Sequence, residues 1–362
     1  LLDVPGSYPS IQAAVDAAET GDTILVAPGT YIENVSISGK SVTLASQYLT
    51  DGNPDAITDT IIDGNDGEYV VFIDPTARGT VITGLTLRNA EDGARVEGTV
   101  DFVSNVVHDT GDALDFQRGD VVAPTGGLVT DNILAGNFDD GIDLDNAVEL
   151  TVRNNVIQNN RDGGIEVRFD DYNGPVLQIL IEGNMITDNR EDGIQLIDVY
   201  SVTDLSVRIE NNVIATNDDV GIGTMPKGIT KEAFTGGDLE ELVIIVNNTI
   251  VDNDYGITAG DNMAIVNNII SGNAMAGIKR ARVDSIAAHN LLWNNGADYE
   301  DVVVAVSTVA ADPLLGAEYV PAPASPAIDS GTASFTFAGT DIVGQIPDEY
   351  SGAAPDLGVF EF

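Results

Sequence analysis

The acids of this chain fall in a pattern. The stretch FDDGIDLDNA, Phe138 to Ala147, places Asp139, Asp140, Asp143 and Asp145 within seven residues. Aligning the chain on a small residue followed by an aliphatic puts Asp115, Asp143 and Glu166 at one shared offset, two past Ala113, Gly141 and Gly164. The same offset then holds Gln195, Gly223, Thr258 and Lys279. Just before the small residue stand Asp112, Asp139, Asp140, Asp162 and Asp192. Calcium takes six to eight oxygen ligands from carboxylates, carbonyls and water, and this cluster offers several. A glycoside hydrolase needs two carboxylates across the scissile bond, and Asp139 and Asp140 with Asp115 or Asp143 provide candidates. If the matching positions lie on adjacent strands, roughly 4.8 Å apart, a column of like charges is destabilising unless a cation neutralises it. Acidity fades along the column after Gln195, which favours a bound divalent cation over a uniformly acidic surface.

The elements that position these acids are short and repeated. Asn105, Asn132, Asn155, Asn184, Asn212, Asn248, Asn268 and Asn290 each introduce an aliphatic stretch such as NNVI or NNII. A second series follows five residues later in most units: Asn137, Asn160, Asn189, Asn217, Asn253, Asn273 and Asn295. Stretches such as LTVRNNV and GIEVRF alternate with period two, and hairpin signals are absent, so the units stack best as coils of a parallel β-helix. The period points Ile142 and Leu144 inward and Asp143 and Asp145 outward, with Asp115, Glu166 and Arg168 outward in the same way. Stacked amides account for the asparagine columns. SIQAAVDAAETGD, with Ile11, Ala14, Val15 and Ala18 at helical spacing, predicts a short capping helix. DLGVFEF at the other end predicts an edge strand. The insertions carry Phe169, Tyr172, Tyr200 and Phe234, which suit either sugar stacking or loop anchoring.

Composition narrows the partners. A formal net charge of −43 repels nucleic acid and anionic lipid. With four lysines among so many aspartates, the surface suits either a saline or calcium-containing setting or an ordinary acidic secreted protein. No apolar run approaches the roughly 20 residues of a membrane span. Leu1 opens on DVPGSYPS with no basic and apolar leader, which reads as a mature secreted chain. The absence of cysteine excludes disulfides and thiolate chemistry. His108 and His289 both read as structural.

The opening YPSIQAAVDAAETGDTILVAPGTYIENVSI, the repeats of the type NNVIQNNRDGGIEV and the closing APDLGVFEF together resemble the pectate-lyase-like superfamily of right-handed parallel β-helices. DDGIDL is similar to the calcium-binding stretch of polysaccharide lyase family 9. That resemblance implies Asp139, Asp140 and Asp143 as ligands, with Asp115 or Asp112 from the preceding coil, and Glu166 continues the column. It also implies β-elimination on a uronic acid chain, with a cation acidifying the C5 proton for a base to remove. The family's catalytic lysine lies two residues past the glycine on a following strand, where this sequence has Glu166 and Gln195. Arg168 and Lys227 are the remaining catalytic candidates, although arginine is a demanding base; Arg168 also suits an ion pair with Asp145 and Glu166. Arg161, Arg190 and Asp145 are the candidate substrate contacts, and Arg161 and Arg190 equally suit pairing with Asp162 and Glu191.

The sequence therefore predicts an all-β, single-stranded right-handed parallel β-helix with a short N-terminal capping helix. It forms one domain over 1–362, with a cap and first coil over 1–40, coils over 41–305 and a C-terminal cap over 306–362. The expected function is that of a secreted, extracellular, monomeric, calcium-dependent lyase acting on an acidic polysaccharide. The alternatives are a non-catalytic polysaccharide-binding or surface protein and a glycoside hydrolase using paired aspartates.

Overall fold

A computed structural model describes residues 1–117, 123–145, 147–169, 172–198, 203–226, 237, 239–282, 284–302, 304–346 and 349–362. The chain is a right-handed parallel β-helix, and its contacts divide it into two compact units, residues 1–166 and 167–362. In the first unit the strands Leu2–Val4, Thr23–Val26, Thr43–Ser46, Arg78–Thr83, Thr99–Val103, Thr125–Thr130 and Val148–Arg153 pair in parallel, each with the next. In the second, Thr203–Glu210, Val243–Val246, Met263–Val266, Ile286–Ala288 and Ala305–Val306 do the same. Among the described residues no helix is long and apolar enough to cross a membrane.

Two devices repeat from coil to coil after Asn105. The first is the asparagine ladder. Asn132 Nδ2 donates to Asn155 Oδ1 at 2.9 Å, and the Asn132 backbone N–H reaches the same oxygen at 2.9 Å. In the second unit, Asn184, Asn212, Asn248, Asn268 and Asn290 are joined Nδ2 to Oδ1 at 3.0–3.1 Å. The second device is a left-handed residue immediately before each ladder asparagine, as at Asp131, Asn154, Asn211, Asn247, Asn267 and His289, with φ between 54° and 59°. Asn and Asp tolerate that conformation better than most side chains. It is the backbone role of His289.

The recurring glycine has a steric cause. A Cβ on Gly141 would lie 2.5 Å from the Gly164 carbonyl oxygen and 2.5 Å from Ile157 Cγ2. Neighbouring coils pack closely at this point, so a side chain there has no room.

The helix Ile11–Ala17 buries Ile11, Ala14 and Val15, as its spacing predicts. Ser10 Oγ accepts from the Ala13 N–H, and the Glu33 carboxylate accepts from Ile11 N and Gln12 N, so the first turn is fully capped. The C-terminal expectation fails in detail. DLGVFEF is not a strand: Asp356 accepts from the backbone of Asp329 and Phe362, folding the segment back while Leu357 enters the core. A hairpin, Ser334–Phe337 with Thr340–Gly344, lays Ile342 and Val343 on the outer side of Ile244, Val246, Ala264, Val266 and Ala288.

Candidate functional site

The strand Val106–Phe116 holds the centre of the acidic site. Leu114 and Phe116 point into the core, so Asp115 faces outward between them, as the period requires. It is paired in register with Asp143 on one side and Arg95 on the other, and Asp112 is paired with Asp92. Facing outward does not mean exposed: Asp115 is 3% exposed and Asp92 2%, and Asp140 and Glu166 are also buried.

Two groups of carboxylates form. Ligand oxygens of Asp92, Asp112 and Asp115 lie within 4.8 Å of one another, and so do those of Asp112, Asp139 and Asp140, with Asp112 common to both. Of the ligands expected from sequence, Asp115, Asp139 and Asp140 are thus gathered around Asp112. Asp143 and Glu166 stand outside both groups but close enough to raise the Asp140 pKa. Asp92 was not anticipated. Its signal is the Asp-Gly of NAEDGARVEG, which occupies the same offset as Asp140-Gly141 two coils on.

Some of these oxygens have structural duties. Asp112 Oδ1 accepts from Asp140 N at 2.9 Å, and Asp140 Oδ1 from Gly163 N at 2.6 Å. Arg95 Nε donates to Asp92 Oδ2 at 2.7 Å and lies 3.7 Å from Asp115 Oδ2, which also accepts from Gln117 Nε2 at 2.5 Å. Asp115 Oδ1 remains: it is buried with no hydrogen-bond partner among the described residues.

The electrostatics follow from burial with too little counter-charge. Burial pushes Asp112 up to about 8, against the pull of the Asp140 N–H, and Asp139, Asp92 and Asp115 push the same way. Asp115 also reaches about 8 through burial, Asp92 and Asp143, with Arg95 opposing. Asp140 is raised well above the carboxylate range by burial, then by Glu166 and Asp162. Arg95 opposes the Asp115 shift, and it faces several acids.

Arg168 is half-buried on the strand Ile165–Phe169, two residues past Glu166, and it has interaction partners. Lys227 lies outside the described residues, as do Tyr200 and Phe234. Phe169 is buried in the core and offers no open ring, and Tyr172 is half-buried. Asp145 is half-buried and Arg190 exposed. The Arg161 guanidinium sits 5.0 Å over the ring of Phe138, which is 53% exposed and borders an open cleft of about 310 Å³ lined by Asp66, Glu68, Glu91 and Asp109. His108 Nδ1 lies 2.7 Å from Asp109 Oδ2, and His289 meets the ring of Phe335 edge-on; neither joins an acid group.

A sequence model of the family described as periplasmic copper-binding protein (NosD) matches residues 15–236. No curated protein matches the chain. Among solved structures, the A-module of a mannuronan C-5 epimerase from Azotobacter vinelandii is similar at 20% identity and TM-score 0.56, covering 84% of this chain and 94% of its own. A pectate lyase is similar at 17% identity and TM-score 0.53, covering 97% and 90%. The catalytic unit of a thermostable GH87 α-1,3-glucanase from Streptomyces thermodiastaticus follows at 16% and 0.51, covering 83% and 65%. At these identities the likeness is one of fold.

Proposed function

The chain belongs to the NosD family, and from that premise and its acid cluster we propose that it is a secreted, calcium-binding β-helix that cleaves an acidic polysaccharide by β-elimination. The observation that carries this reading is the buried oxygen Asp115 Oδ1, without a hydrogen-bond partner among the described residues, beside Asp92 and Asp112. A buried carboxylate oxygen with no partner is costly unless a proton or a cation completes it, and a cation can serve all three acids at once.

Copper does not fit this cluster. Copper sites draw on imidazole, thiolate or thioether, whereas both groups here consist of carboxylates alone, the chain has no cysteine, and neither histidine takes part. An all-oxygen donor set suits a hard cation. Asp92, Asp112 and Asp115 would hold calcium, with Asp139 and Asp140 adjoining through Asp112. Calcium held there would supply counter-charge to a uronate carboxylate and so would acidify the neighbouring C5 proton. Arg168, or Lys227, in its neutral form takes that proton while the C4–O bond breaks and the 4-linked sugar leaves, giving the unsaturated product. Arg161, Arg190 and Asp145 orient the sugar.

A second reading is non-catalytic binding. It draws support from Gln195, which stands on a following strand at the offset where the resembled family places lysine and is buried with its amide on Met225 Sδ at 3.7 Å. One experiment separates the two. Ultraviolet absorbance of the unsaturated product is followed with polygalacturonate and alginate, with calcium and with chelator. A calcium-dependent rise that is lost in both Asp115→Ala and Arg168→Ala supports the lyase. No rise, with calcium still raising the melting temperature, leaves the binder.

A further inference from the structure

The second unit holds a cleft of a different character. Trp293, the chain's one tryptophan, ends the strand Leu291–Trp293 in register with Ser271, which is in turn in register with Val251. Along this outward column the C-terminal segment covers the earlier coils, packing Leu315 and Tyr319 against Val213, Ala215 and Val251. The cover does not close over Trp293, whose side chain is 42% exposed. Between the turn and the segment lies an open cleft of about 310 Å³, bordered by Trp293, Tyr319, Asp252, Ser271, Asn294 and Asp312.

The cleft is held in shape by the ladder. Asp252 and Asn294 occupy the left-handed position just before Asn253 and Asn295, with φ of 58° and 53°. Their side chains therefore start from fixed backbone positions and lose little freedom when a ligand binds. An indole beside oxygen and amide groups suits a ring that is apolar on its faces and hydroxylated round its rim. Charge selects further: Asp252 and Asp312 are acids, and no basic residue lines the cleft among the described residues. A uronate would be repelled, whereas sugar hydroxyls can donate to carboxylates.

We propose that this cleft binds a neutral sugar unit of a glycan, stacked on Trp293 and donating hydroxyl hydrogens to Asp252 and Asp312. The volume stands at the lower end of the range for small-ligand sites, about 300–1,000 Å³, and suits a short glycan segment. The proposal rests on residues 213–319 and is independent of the calcium cluster.

Because Trp293 is the only tryptophan, the emission of the full chain reports on this cleft. The chain is titrated with cellotriose, maltotriose and mannotriose, and separately with trigalacturonate. The expected result is a saturable blue shift with at least one neutral trisaccharide and none with trigalacturonate. Asp312→Ala weakens that binding about tenfold, and Asp115→Ala leaves it unchanged. Calorimetry shows no binding to Trp293→Ala. Both Trp293 and Asp312 are exposed, so these replacements spare the core. The proposal is overturned by no shift with any neutral trisaccharide, by an equal shift with trigalacturonate, or by undiminished affinity in Trp293→Ala or Asp312→Ala.

Discussion

Asp112 and Asp115 bind their protons more tightly in the folded chain than in the unfolded one, where a carboxyl titrates near 3.8. Their contribution to stability is therefore complete below about pH 4 and is lost as pH rises to about 8. In chelator, the melting temperature should fall across that interval, because the unfolded chain gives up protons that these buried acids still hold. With calcium the fall should flatten, because the ion takes the place of the protons; a series of melting curves at stepped pH decides it. At about a hundredfold its Kd, calcium should stabilise by about 2.7 kcal/mol. Asp115→Asn should abolish most of that gain while raising the melting temperature in chelator at pH 8, since it removes a buried like charge. A variant equally stabilised by calcium would place the ion elsewhere. The central acids were legible from their spacing, yet their burial was not. Period two tells which side of a strand a residue faces, and what covers that side depends on residues far away in sequence. Asp92 escaped notice because its coil carries Ala94 and Arg95 where later coils carry Ile or Leu and an acid.

Two element-scale devices make firm predictions. Gly141→Ala would drive a methyl group into the Gly164 carbonyl and Ile157, and should cost about 1–3 kcal/mol in chemical denaturation. Asn132→Ala would strip the Asn105 N–H of its acceptor and the Phe102 carbonyl of its donor, at about 1–3 kcal/mol for each buried group left unpaired. Asp162→Ala, on the turn between Val156–Gln158 and Ile165–Phe169, provides a comparison for local perturbation. The ladders stood out in the sequence because the same residue type recurs at each rung. The left-handed position beside them did not, because Ser104, Asp131, Asn154 and His289 all fill it and only the backbone is common. The runs VIIV and MAIV also hide their surroundings: all four residues of each are buried, so alternation disappears wherever the hairpin covers the outer side.

At the scale of the whole molecule, 58 acidic residues against 15 basic ones give a chain that repels itself. Raising sodium chloride from about 0.01 M to 1 M shortens the screening length from about 30 Å to about 3 Å. The melting temperature in chelator should rise over that range, and a flat response would show that the acids are already neutralised locally. Screening acts on exposed charge, so salt should not substitute for calcium at the buried cluster. The terminal hairpin bears on a different stage of the molecule's life. The strands that carry Ile244, Val246, Ala264, Val266 and Ala288 precede in the chain the residues Ile342 and Val343 that cover them. During synthesis from the N-terminus that apolar strip emerges before its cover exists. Until Val343 has left the ribosome, it is where neighbouring nascent chains can adhere, and where a holding chaperone has something to grip.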